Sequence, residues 1–266
     1  MDWAIEVKNL IKRFGDYEAV AGISFAVRPG EVFGLLGPNG AGKTTTMRML
    51  ATLLPPSSGQ ILIEGVDALR YGSLVRRLLG YVPQALSADG TLTGYENLLF
   101  FAKLLRLDKK ERERRIHEIL DLLDLQKAAN KLVREYSGGM VRRLEIGQAI
   151  LHRPRVLILD EPTVGLDPVA RHTVWNILEK LRAEIGLTIL ITTHYMEEAE
   201  AICERIAIMN RGKIVAQGTP AELKVKAGKP QATLEDVFAY FTGDQFESGG
   251  TFREVQQVRR RIQRFS

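Results

Sequence analysis

The stretch "GPNGAGKTT", Gly37 to Thr45, constrains this chain more than any other. It follows the apolar run "EVFGLL" and precedes "TTTMRMLATLL", in which Met47, Leu50 and Leu54 fall on one helical face. A strand, then Gly37, four residues, Gly42, Lys43 and Thr44, then a helix, is the arrangement of a phosphate-binding loop. Backbone N–H groups curl inward round the phosphates, and the helix adds the positive end of its dipole. Pro38, Asn39, Gly40, Ala41 and Thr45 complete the cradle. Lys43 is expected to reach the β- and γ-phosphates, and the Thr44 hydroxyl to coordinate Mg²⁺.

A second apolar run, "VLILDEPT", delivers Asp160 to the carboxyl end of a buried strand, where ligands of open α/β sheets bind, and Glu161 follows directly. Asp160 is suited to hold Mg²⁺ and Glu161 to accept a hydrogen bond from a water attacking the γ-phosphate. The run "LTILITTH" makes a parallel neighbour, which puts the imidazole of His194 on the same rim. Between the two runs lies the helical pattern "PVARHTVWNILEKLRAEIG", so the three segments read as a βαβ unit in a buried parallel sheet. Gln84, in "GYVPQ", stands where strand-like sequence gives way to helix-like sequence, and is placed to sense both Mg²⁺ and the attacking water.

The first portion, with "AIEVKNLIKRF", "ISFAVRPGEVFGLLG" and "QILIEGV", is strand-rich. From about residue 85 to 155 the period changes to that of helices, as in Ile116, Ile119, Leu120 and Leu123, which predicts a helical insertion. From about "KAGKPQATLED" onward regularity is lost. Within "YENLLFFAKLLRL", Leu98, Leu99, Phe100, Phe101, Leu104, Leu105 and Leu107 surround more of a helix than one core face requires. Such a helix is either buried between two others or a groove for a partner's helix.

Composition bounds the rest. A chain of 266 residues with 45% hydrophobic and 26% charged residues is sized for one large domain or a core with a subdomain. No apolar run approaches the roughly 18 residues of a membrane helix, and "MDWAIEVKNL" has no signal-peptide pattern, so the chain is expected to stay in the cytosol. The single cysteine, Cys203, excludes an intrachain disulfide and a cysteine-cluster metal site, and its apolar setting assigns it to packing. The net charge of +5 is concentrated in "VRRRIQRFS", so residues 243–266 read as a basic tail, with arginines suited to anionic lipid headgroups, rather than a nucleic-acid groove.

A second glycine loop, "YSGGM" from Tyr136 to Met140, lies far along the chain from the first. With "GPNGAGKTT", "YVPQ", "VLILDEPT", "GLD" and His194, in this order, it resembles the ATP-binding subunit of an ABC transporter, over roughly residues 4 to 240. The wording "YSGGM", "TVGLDP", "TTHYMEEAE" and "TLEDVF" is similar to the subgroup serving ABC-2-type exporters, including daunorubicin-resistance-type drug exporters. A kinase or GTPase switch leaves "YSGGM" and His194 without a purpose; a soluble ABC ATPase acting on nucleic acid or ribosomes shares the motifs. That alternative typically carries two ATPase domains or a very long coiled coil, neither of which this sequence has.

The resemblance implies an α/β fold, with a P-loop NTPase core of RecA-like, mostly parallel sheet, an N-terminal antiparallel β-subdomain and an inserted α-helical subdomain. It implies an ATPase domain over residues 1–242, ATP and Mg²⁺ as cofactors, and Phe14 as the ring that stacks on adenine. It implies two subunits packed head to tail, as a homodimer or with a second ATP-binding subunit, so that Ser137, Gly138 and Gly139 of each cover the ATP held by the other. Asp167 would lie at the dimer seam; by its sequence setting before Pro168 it could instead cap a helix. The partner would be a separate membrane permease, the location the cytoplasmic face of the membrane, and no nucleic acid is expected. The family signature usually begins with Leu and ends with Gln, where this chain has Tyr136 and Met140.

Overall fold

The computed structural model describes residues 3–228 and 230–243; most of the basic tail lies outside the described residues. The chain opens with β1 (Ile5–Phe14) and β2 (Tyr17–Val27), an antiparallel hairpin turning at Gly15. It continues through β3 (Val32–Leu36), α1 (Lys43–Leu50), β4 (Ser58–Ile63) and β5 (Val66–Asp67). Strands β2, β1, β4 and β5, in that order, form one antiparallel sheet.

Then come α2 (Gly72–Leu78), β6 (Leu79–Val82), α3 (Gly94–Leu104), α4 (Lys109–Leu122) and α5 (Gly138–Ile150). The chain returns to the sheet with β7 (Val156–Asp160), α6 (Pro168–Ile185), β8 (Thr188–Thr193) and α7 (Met196–Ile202). It ends in β9 (Arg205–Asn210), β10 (Lys213–Gly218), α8 (Pro220–Lys226) and α9 (Leu234–Thr242). The second sheet has the order β10-β9-β3-β8-β7-β6, parallel except for the edge hairpin of β9 and β10.

The central strands are apolar on both faces because both faces are covered. Along β7, Val156 and Ile158 pack with the β-rich layer and α1, while Leu157 and Leu159 pack against the helices. Phe33 and Leu35 of β3 face the first cluster, Val32 and Leu36 the second. Period-two alternation inside a continuous apolar run thus divides the side chains between two cores. The helices α3 to α5 enclose the second core through Leu98, Ala102, Ile116, Leu120 and Leu144, all buried.

Two local readings differ from the sequence expectation. The helix after the glycine loop ends at Leu50, not Leu54: Thr52 takes a left-handed backbone, φ 58°, and Leu54 packs from a turn. The segment expected to lose regularity holds α9, started by a Thr233–Asp236 capping box, with Val237 and Phe238 buried. Cys203 is buried just past α7, as its packing role requires.

Candidate functional site

The glycine loop joins β3 to α1 at the carboxyl edge of the parallel sheet. Gly42 sits at φ 103°, and a Cβ there would lie 2.4 Å from the Ala19 carbonyl oxygen, so both backbone angle and space demand glycine. Phe14, Tyr17, the loop from Pro38 to Thr45, Gln84 and Glu161 line a cleft of about 460 Å³. Phe14 is half exposed, with the Lys12 ammonium 5.1 Å from its ring centre. A larger cleft of about 790 Å³ lies at the amino ends of β7 and β8, bordered by Arg155 and Thr188, on the sheet edge opposite these carboxylates.

Three residues singled out in the sequence meet at the carboxylate of a fourth, Glu161. Glu161 Oε1 is 3.2 Å from Lys43 Nζ. Its Oε2 accepts from Gln84 Nε2 at 3.4 Å and lies 3.2 Å from His194 Nδ1. These groups come from α1, the loop after β6, the loop after β7 and the residue following β8. Lys43 Nζ also donates to the carbonyls of Gly37, at 2.8 Å, and Pro38, at 3.3 Å. The backbone of Glu161 is in the left-handed region, φ 48°, an unfavourable conformation for a residue with a side chain. It is held there by a hydrogen bond from its own N–H to Thr192 Oγ1, 2.9 Å.

Asp160 is buried beside it. Its Oδ1 accepts from Thr192 Oγ1 at 2.7 Å and from Thr44 Oγ1 at 3.2 Å, while Oδ2 is buried with no hydrogen-bond partner. Burial pushes the Asp160 carboxyl above the usual aspartate range, against the donation from Thr192 and Thr44. The adjacent Glu161 is held below the usual glutamate range, first by His194 and then by Lys43, against its own burial. Neighbouring acids driven in opposite directions are equipped for different tasks. An unpartnered buried carboxylate oxygen next to a hydroxyl suits a hard cation such as Mg²⁺.

The second glycine loop does not border this cleft. Ser137 caps α5, its Oγ accepting from the Met140 N–H at 3.3 Å. A Cβ on Gly139 would meet Ala170 Cβ at 2.8 Å, so this glycine also lets α5 approach α6. The departure at Tyr136 has a receptacle of its own: the buried hydroxyl donates to the Ala128 carbonyl at 2.7 Å, beside Gly94, where a side chain would collide with it. Asp167 Oδ1 accepts from the Ala170 N–H at 2.9 Å, so in this arrangement it caps α6, with Pro168 at the first helical position.

Sequence reasoning missed Thr192, whose hydroxyl donates to the Asp160 carboxylate and accepts from the Glu161 backbone N–H, and the buried pair Arg142 and Glu145. For Thr192 a signal existed: polar residues closing an otherwise apolar strand that runs beside the acid-bearing one.

Comparison with known proteins fits this geometry. Residues 20–164 match the profile of the ABC transporter family. The chain is 41% identical over 224 residues to the linearmycin resistance ATP-binding protein LnrL of Bacillus subtilis (strain 168), covering 84% of this chain and 72% of that protein. It is 43% identical over 227 residues to the daunorubicin resistance ATP-binding protein DrrA3 of Streptomyces coeruleorubidus, covering 85% and 72%. Among solved structures, the dimeric post-hydrolysis state of the ATP-binding cassette MJ0796 bound to ADP and Pi aligns with a TM-score of 0.72 at 26% identity, over 81% of this chain and 98% of that one. These relatives support a transporter subunit and not the soluble alternative. The chain belongs to the ABC transporter family, as an ATP-hydrolysing subunit of a transporter.

Proposed function

We propose that this subunit drives export through a separate membrane permease, closing on ATP as a head-to-tail dimer and reopening after hydrolysis. The observation that carries the reading is the meeting of Lys43, Gln84 and His194 on Glu161 at the mouth of the phosphate loop. In it, Glu161 accepts a hydrogen bond from the attacking water, Gln84 and His194 fix that water and the phosphate against it, and Lys43 neutralises the transferring phosphoryl group. The loop N–H groups from Gly37 to Thr45 hold the phosphates and Phe14 stacks on the adenine. Thr44, Asp160 and Gln84 would hold Mg²⁺, which when bound supplies charge neutralisation between the β- and γ-phosphates.

Ser137, Gly138 and Gly139 of one chain would cover the nucleotide of the other, with Asp167 at the seam; that a solved relative is dimeric supports a dimer. Resistance proteins as relatives favour export. Residues 1–242 would form the ATPase domain, with the helical lobe at about 85–155 and the basic tail beyond. Among the described residues no helix is long and apolar enough to cross a membrane. A peripheral place on its cytoplasmic face follows from docking on a permease, and the exposed Phe100, Phe101 and Leu104 of α3 offer the contact.

The test is Glu161→Gln. The amide keeps the shape but loses the anionic acceptor, so the variant should bind ATP, cease hydrolysis and elute as a dimer only when ATP is present. A variant that hydrolyses ATP normally, or stays monomeric at saturating ATP, overturns the reading.

A further inference from the structure

We infer that Arg142 and Glu145 are positioning residues for Gln84, through which the helix headed by Ser137 sets the geometry of this chain's own Glu161. The inference rests on the proposed function, since it assumes that Gln84 and Glu161 act on the attacking water.

Arg142 and Glu145 lie on α5, both 2% exposed, with Arg142 Nη1 3.0 Å from Glu145 Oε2. Arg142 donates to the Pro83 carbonyl at 2.7 Å and to the Gln84 carbonyl at 2.8 Å. Glu145 Oε1 accepts from the Ser87 N–H, from Ser87 Oγ at 3.2 Å and from the Ala88 N–H at 3.4 Å. The loop following β6 is therefore gripped at Pro83 and Gln84 by a cation, and at Ser87 and Ala88 by an anion. The side chain of Gln84, leaving that gripped backbone, reaches Glu161 Oε2.

Stability alone does not call for this pair. Buried ion pairs are often replaced by apolar side chains of similar volume with little or no loss, because the desolvation of two charges offsets their attraction. What the pair does provide is direction: two carbonyls and two N–H groups fixed from a single helix leave the Gln84 backbone little freedom to shift independently of α5. Ser137 caps that same helix five residues before Arg142. A displacement of the Ser137 loop would then arrive at Gln84 as a movement of one packed body rather than as a loosening of the loop.

The experiment compares ATPase kinetics of the full chain with those of Arg142→Met/Glu145→Leu, which removes both charges together, and of Arg142→Lys, which keeps the charge but not the fork that spans two carbonyls. For the double variant we expect a thermal midpoint close to wild type, KM for ATP within about 2-fold and kcat lowered about 10-fold or more. Arg142→Lys should fall between, with the same split. In a Gln84→Ala background the double variant should lower kcat by less than about 2-fold further, because the route through Gln84 is already cut.

Wild-type kcat in a folded double variant, a loss confined to KM, or an undiminished further loss in the Gln84→Ala background would each overturn the inference. If the double variant does not fold, Arg142→Lys decides, and wild-type kcat there overturns it. Glu161→Gln run in parallel separates the two levels: should it hydrolyse ATP, the proposed function has failed, whereas a dead Glu161→Gln beside normal clamp variants means that only the clamp has.

Discussion

The ammonium of Lys43 and the carboxylate of Glu161 stand 3.2 Å apart, both nearly buried, at the entrance to the phosphate loop. With the Gly37 and Pro38 carbonyls also accepting from it, the amine has a full set of partners. Phosphate oxygens entering the loop must compete for this amine, and their success would loosen its hold on Glu161. In the proposed reading, nucleotide binding and release of the Glu161 carboxylate would thereby be linked through one cation.

Lys43→Ala removes that cation. Loss of one group aimed at developing phosphate charge should lower kcat/KM for ATP by about 10²–10³-fold. Steady-state ATPase assays check this, and near-normal turnover would contradict the place given to Lys43.

A pH-dependent stability is expected from Glu198. This fully buried residue of α7 accepts from Thr163 Oγ1 and Trp175 Nε1, each at 2.8 Å. Burial raises its carboxyl above the usual glutamate range, against the donation from Thr193, Trp175 and Thr163. Between the unfolded and the raised folded value the native state holds more protons than the unfolded one, so stability falls as pH rises, and the deficit persists at higher pH. Glu198→Gln removes this ionisation. Its thermal midpoint relative to wild type should therefore climb as pH rises from about 4, the usual glutamate range, through the raised folded value; a difference that shrinks with rising pH would refute the assignment.

The site was legible in the sequence to the extent that its chemistry is local. Gly37 to Thr45 carry loop geometry, cation and hydroxyl within one segment, and the apolar runs ending at Asp160 and near His194 placed those side chains on a common rim. Contacts made across the fold left little trace. The Thr192 hydroxyl donates to the Asp160 carboxylate on the neighbouring strand and accepts from the Glu161 backbone N–H just past it, and Arg142 grips carbonyls at Pro83 and Gln84, far away in sequence. The ending helices were legible but unread: "TPAE" and "TLED" are capping boxes, at Thr219–Glu222 and Thr233–Asp236.

On α3 the structure removes one of the two readings of its apolar residues, that of a helix buried between two others. Leu98 and Ala102 are buried, whereas Phe100, Phe101, Leu104 and Leu105 remain exposed, with the rings of Phe100 and Phe101 edge to face at 5.9 Å. Phe100→Asp/Phe101→Asp should keep the thermal midpoint, since neither ring is core, yet lose association with the membrane subunit in detergent extracts of cells producing both. Undiminished association of the folded variant would move the docking surface elsewhere.

The two glycine loops can be assigned to one chain or two by symmetry. Let one chain carry Lys43→Ala and its partner Ser137→Arg. Each lesion alone should inactivate a homodimer, because both of its sites are then damaged. The Ser137 change also removes a helix cap, a cost of about 1 kcal/mol, so folding is checked by circular dichroism. If each site takes its phosphate loop from one chain and "SGG" from the other, the mixed dimer gathers both lesions into one site and leaves the second intact. If each chain uses its own two loops, every site carries one lesion and nothing recovers. The control joins a wild-type chain to a doubly substituted one: shared sites then carry one lesion each, and unshared sites leave one intact. Differently tagged chains, purified through both tags with the membrane partner and assayed for ATP hydrolysis, should give activity in the first mixture and none in the control. The reverse pattern would place both loops in the site of a single chain.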